Sequence, residues 1–171
     1  VVWMMGSPGK LTDENNATVD APAHKVMLTE DYYIGIYEVT QSQYSNIGGV
    51  NVSLYTNEVE SPYMPAERIA YNTLRGSGFL WLTKRHQVSS SSPIGKFRAR
   101  CGIADMDLPT EAQWEYACRA GSGTEFHENL EFTQENICKY AVMKANAESA
   151  TDTYNPDGQK QEKRPSAVGS K

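Results

Sequence analysis

The chain has no Cys-x-x-Cys pair, no internal repeat, and no apolar run approaching the ~18 residues that a membrane helix needs. The first absence argues against a structural zinc site, whose ligands come in such close pairs. The last means that no membrane span is expected. Cys101, Cys118 and Cys138 stand 17 and 20 residues apart. So sparse and odd a set leaves open both one disulfide with a free thiol and three reduced thiols. The opening Val1-Val2-Trp3-Met4-Met5-Gly6 lacks a basic leader and a cleavage-like site, so no signal peptide is read there and the compartment stays open. Phenylalanine is scarce, four residues against ten tyrosines and three tryptophans, which favours large side chains with a polar tip.

What is present suits one folded domain over residues 1–171. That length buries a sizeable core, and 39% hydrophobic residues is too apolar for a disordered chain. Charge is unevenly spread. From Arg68 to Ala104 there are seven basic residues (Arg68, Arg75, Lys84, Arg85, Lys96, Arg98, Arg100) and no acid; the other nine basic residues share the remaining sequence with all 21 acids. Such a patch is either a docking surface for an anionic partner or a loop whose arginines pair with acids inside the fold. No nucleic-acid motif accompanies it, and no nucleic-acid partner is expected.

Several elements are legible. Residues 2–6 read as a strand, and 9–23 as a polar loop. Two β-type runs follow, Lys25-Val-Met-Leu-Thr29 and Tyr32-Tyr-Ile-Gly-Ile-Tyr37. Thr40 with Gln43 forms a capping box, which predicts a helix from Gln41 to about Gly48-Gly49. A loop through 50–65 precedes a short helix within 70–82 that Gly76 and Gly78 interrupt, and Ser89-Ser-Ser-Ser-Pro93 reads as a flexible loop. Near the end, Ala167-Val-Gly169 suits a strand edge. The sum is an α+β domain rich in loops.

Leu108-Pro-Thr-Glu-Ala-Gln-Trp-Glu-Tyr-Ala-Cys-Arg-Ala-Gly121 carries the most information. Thr110 and Gln113 make a second capping box, Pro109 keeps the preceding backbone extended, and Gly121 suits a left-handed helix end. Trp114, Ala117 and Cys118 recur at helical spacing, which predicts a buried apolar face.

These literal residues resemble the hallmark of the formylglycine-generating (sulfatase-modifying) enzyme family. Five further segments resemble that family in its own order: Met5-Gly-Ser-Pro8, Pro22-Ala-His-Lys-Val-Met-Leu28, Tyr33 to Tyr44, Pro65 to Asn72, and Arg164 to Ser170. The resemblance implies a loop-rich variant of the C-type lectin-like fold. It also implies a family activity, the copper- and oxygen-dependent oxidation of a substrate cysteine to formylglycine in sulfatases. The cysteine pair that holds copper in the family lies near its C-terminus, and no cysteine here matches it. The expectation is therefore a domain comprising the family's N-terminal two thirds, inactive alone, with copper only where those cysteines exist. Strand edges left open in this way invite a complementing chain or a homo-oligomer. Cys118 matches a helix cysteine that bridges to the C-terminal part in some relatives; without its partner it is expected to be a buried, inert thiol. The same resemblance assigns a structural calcium to the side chain of Asn136, the main-chain carbonyl of Ile137 and the carboxylate of Asp157. Hard oxygen ligands of that kind suit calcium.

Other constellations carry less. His24, His86 and His127 are scattered, and His24 suits a structural role at a strand start. Gly6-Ser-Pro-Gly-Lys-Leu-Thr fails the phosphate-loop spacing. Glu38, inside an apolar run, is expected to be a buried acid anchoring loop N–H groups. Asn51-Val-Ser53 is a glycosylation sequon only in a secreted eukaryotic protein. A non-catalytic binding protein on the same scaffold, such as a variable protein of a diversity-generating retroelement, is the alternative function, and an accessory domain in a surface assembly is the third. A sulfatase peptide or another protein ligand is the expected partner.

Overall fold

The computed structural model describes residues 1–6, 11–12, 18–19, 22–57, 59–80, 86–122, 133–142 and 165–169. It is an α+β arrangement of short elements that divides into two compact units. One comprises Val1–Ile34 with Leu108–Asn136, the other Gly35–Asp107 with Ile137–Lys171.

In the first unit, β1 (Val2–Met5) pairs antiparallel with β4 (His24–Met27), with Trp3 opposite Val26 and Met5 opposite His24. Strand alternation sends Trp3 and Met5 to one face and Val2 and Met4 to the other. Met5 is buried, and Trp3 stacks at 5.5 Å on Tyr116 of the helix that covers this face. A second tiny hairpin, β2 (Leu11–Thr12) with β3 (Thr18–Val19), lies inside the stretch expected to be loop throughout. Leu11, Thr12, Thr18 and Val19 suit this pairing, since three of the four are β-branched.

The second β-type run, Tyr32–Tyr37, forms no strand. Bulky residues favour a strand only where a partner and a covering layer exist, and here Tyr33 is 106% and Ile36 89% exposed. Ala167–Gly169 is likewise a turn rather than a strand edge; Val168 N–H donates to the Tyr63 carbonyl at 3.0 Å.

The second unit is helical. In α1 (Gln41–Asn46) the expected capping box is present: Thr40 Oγ1 accepts Gln43 N–H at 3.1 Å, and Gln43 Oε1 accepts Thr40 N–H at 2.9 Å. A 3-10 turn, Ser61–Tyr63, interrupts the loop read over 50–65 and packs on α1. The short helix within 70–82 is α2 (Tyr71–Arg75), closed by Gly76 at φ 96°. The serine run is a turn, as a loop reading requires, and it leads through Ser92 into a helix the sequence did not announce, α3 (Pro93–Cys101). Ser92 Oγ accepts Gly95 N–H at 3.2 Å, and Pro93 occupies the first turn, where its missing N–H costs nothing.

Two helices complete the set. α4 (Glu111–Arg119) carries the predicted Thr110–Gln113 box, but its left-handed end begins at Ala120 (φ 48°) and continues at Gly121. α5 (Gln134–Tyr140) follows Thr133, whose hydroxyl accepts Asn136 N–H at 3.2 Å. It falls in a stretch whose weak patterning predicted nothing.

Among the described residues of the second unit, Tyr44, Met64 and Ile94 are the buried hydrophobic side chains. Gly95 fixes how closely α3 approaches the serine turn, because a Cβ there would stand 2.0 Å from the Ser89 carbonyl oxygen. Gly95→Ala is therefore expected to destabilise by about 1–3 kcal/mol, the cost of forced overpacking. An unchanged urea midpoint would contradict that approach.

Candidate functional site

The basic stretch supplies the densest polar cluster. Arg75, the last residue of α2, is fully buried. Its Nη1 donates to Tyr71 Oη (2.5 Å) and to the Phe79 carbonyl (2.8 Å). Its Nη2 donates to the Gln87 carbonyl (3.0 Å) and pairs with Asp107 Oδ2 at 3.0 Å. Arg98 on α3 reaches the same carboxylate oxygen at 3.4 Å. It also donates to the carbonyls of Met106 (2.7 Å) and His86 (2.8 Å). Further along α3, Lys96 Nζ donates to the Gly48 carbonyl at 3.0 Å and Arg100 Nη1 to the Asn46 carbonyl at 2.7 Å. Both cations thus meet the C-terminal end of α1, where the helix dipole favours positive charge.

Of the two readings of the basic stretch, Arg75 and Arg98 follow the one in which arginines pair with acids of the fold, whereas Lys96 and Arg100 are exposed and meet main-chain carbonyls. Arg68 is exposed, and Lys84 and Arg85 lie outside the described residues. The cluster holds in place the loops that carry the Phe79, His86, Gln87 and Met106 carbonyls.

A smaller bracket operates in the first unit. Glu115 Oε1 accepts Gly6 N–H at 2.9 Å, and Arg119 Nη2 donates to the Gly6 carbonyl at 2.6 Å. The two side chains also pair with each other at 2.7 Å, and the Arg119 guanidinium lies 5.8 Å from the Trp3 ring centre. Together they satisfy both main-chain groups of Gly6 at the end of β1. Glu115 anchors the Gly6 N–H, whereas Glu38, the acid expected in such a role, is exposed. The signal was available as a Glu-x-x-x-Arg pair on one helix face.

The same packing corrects the face assigned to α4. Ala112, Gln113, Glu115, Tyr116, Ala117 and Arg119 are half-buried, so Ala117 of the expected stripe does pack, whereas Trp114 is 58% exposed and Cys118 is exposed. The helix presents its mixed polar stripe to β1 because that stripe carries the donors and acceptors that Gly6 requires. Cys118 is therefore not a buried thiol. Cys101 is exposed and Cys138 half-buried, and no disulfide joins any two of the three cysteines.

A polar network also engages the sequon. Asn51 Nδ2 donates to buried Gln41 Oε1 (3.0 Å), and Asn51 Oδ1 accepts Ser53 N–H (3.1 Å). Ser53 Oγ accepts Glu67 N–H (3.2 Å), while a Glu67 carboxylate oxygen accepts Leu54 N–H. The Asn51 amide is thus engaged within the fold. His24 opens β4, with Nδ1 2.8 Å from the Pro22 carbonyl oxygen, in keeping with a structural role. His86 is exposed and lends its carbonyl to Arg98; His127 and Ser7–Lys10 lie outside the described residues.

Of the three residues expected to hold calcium, Asn136 and Ile137 are neighbours on α5, while Asp157 lies outside the described residues. The Ile137 carbonyl accepts Ala141 N–H at 2.9 Å. Among the described residues no group of three or more His, Cys, Asp or Glu side chains is arranged to hold a metal. Nor is any described helix long and apolar enough to cross a membrane.

Compared with known proteins, the chain matches the family model of the sulfatase-modifying factor enzyme 1-like domain over residues 2–171. No curated protein sequence and no solved structure matches it.

Two predictions follow from these contacts. Asp107→Asn leaves two guanidiniums without their counter-charge, one of them fully buried, so about 3–5 kcal/mol of stability should be lost. A denaturation midpoint within experimental error of wild type would refute the pairing. The second concerns tyrosines. Burial pushes the Tyr44 hydroxyl above the ordinary tyrosine range, and burial followed by the nearby Tyr116 does the same for Tyr32, whose hydroxyl donates to the Gln113 carbonyl at 2.7 Å. Below about pH 10 both are neutral in either state. Above it the unfolded chain ionises first, so stability should fall as pH rises. Tyr44→Phe should flatten that fall while costing little at neutral pH, because the buried Tyr44 hydroxyl has no partner among the described residues. Urea midpoints on either side of about pH 10 provide the check.

Proposed function

The chain belongs to the sulfatase-modifying factor enzyme 1-like domain family, and from that premise we propose that residues 1–171 form a formylglycine-generating-enzyme-like domain of C-type lectin-like architecture, acting as scaffold rather than as the oxidising centre. The observation that carries this reading is the grip of Glu115 and Arg119 on Gly6. It joins two of the segments that most resemble the family, and it uses their polar groups on backbone geometry instead of on an open reactive position. Tyr33 to Tyr44 contributes the Thr40 capping box, another structural role.

The family's reaction relies on copper held by two thiolates, which supplies the oxygen chemistry when bound. The described residues do not fit that group. Cys101 closes α3, Cys118 lies on the outer side of α4 and Cys138 sits on α5, so the three stand on three different helices. In this reading the chain contributes shape and surface for a sulfatase-type peptide, and the oxidising thiols are supplied by sequence other than these three cysteines.

Incubation with Cu(I), oxygen and a Cys-x-Pro-x-Arg peptide should yield no aldehyde by hydrazide capture and mass spectrometry. Turnover that survives replacement of any two of the three cysteines by serine would leave the scaffold reading intact only by showing contamination. Turnover abolished by those replacements would overturn it.

A structural calcium held by Asn136, Ile137 and Asp157 belongs to the same proposal, supported by the adjacent hard oxygens on α5. EGTA should lower the melting temperature, and added calcium should restore it. A melting temperature indifferent to both would eliminate this part of the proposal.

A further inference from the structure

We draw no further inference here: the strongest candidate, the outer face of the β1–β4 hairpin where Val2, Met4 and Met27 stand exposed, is an unpartnered apolar surface, and nothing in the structure shows what covers it.

Discussion

A fully buried guanidinium must find a counter-charge and acceptors for its N–H groups, because an ion removed from water without them costs several kcal/mol. Arg75 meets that demand by collecting Tyr71 from its own helix, the carbonyls of Phe79 and Gln87, and the carboxylate of Asp107. These partners lie on chain segments with no regular ladder to bind them. Asp107 in turn draws in Arg98, which fixes the carbonyls of His86 and Met106. Two arginines on α2 and α3 therefore decide where the connecting backbone runs, and the conformation of that backbone depends on their remaining paired.

The composition of the interior explains why charge takes this role. Among the described residues Met5, Tyr44, Met64 and Ile94 are the buried hydrophobic side chains, against six buried polar or charged ones. So few apolar contacts cannot hold long irregular segments, whose N–H and C=O groups need partners wherever water is excluded. Long polar side chains meet that need. Glu115 and Arg119 bracket Gly6, Lys96 and Arg100 cap the end of α1, and Gln41 ties down Asn51 and the Tyr55 carbonyl. The absence of acids between Arg68 and Ala104 follows the same logic, since most acceptors there are backbone carbonyls.

Local signals were the legible part of this fold. Thr40 with Gln43 and Thr110 with Gln113 announced two helices, because a capping box is a complete hydrogen-bonded unit within four residues. Tertiary choices were not legible. Trp114 and Cys118 fit an apolar stripe by spacing, yet the face of α4 that packs is the one bearing the partners of Gly6, more than a hundred residues away in sequence. The start of α3 was hidden in a serine run whose composition suggests a linker, although Ser92-Pro93 is a cap followed by a first-turn proline. Tyr32–Tyr37 has strand composition and no paired neighbour among the described residues, and composition alone cannot supply one. For the candidate site the basic stretch was visible, but its partners are mostly main-chain carbonyls, which leave no mark in a sequence.

The residues by which the family is recognised are therefore those that shape the backbone. Gly6 belongs to the Met5-Gly6 turn and Glu115 to the α4 motif, and in this chain they meet: the glycine offers two main-chain groups, and the Glu-x-x-x-Arg pair satisfies both. A constraint of that kind can persist whatever chemistry the scaffold supports. Family membership and scaffold geometry consequently agree here without assigning a reactive atom, since function lives in a site rather than in a fold. The exposed thiols of Cys101 and Cys118 and the outward ring of Trp114 are, by contrast, the parts of these helices that the bracketing does not use.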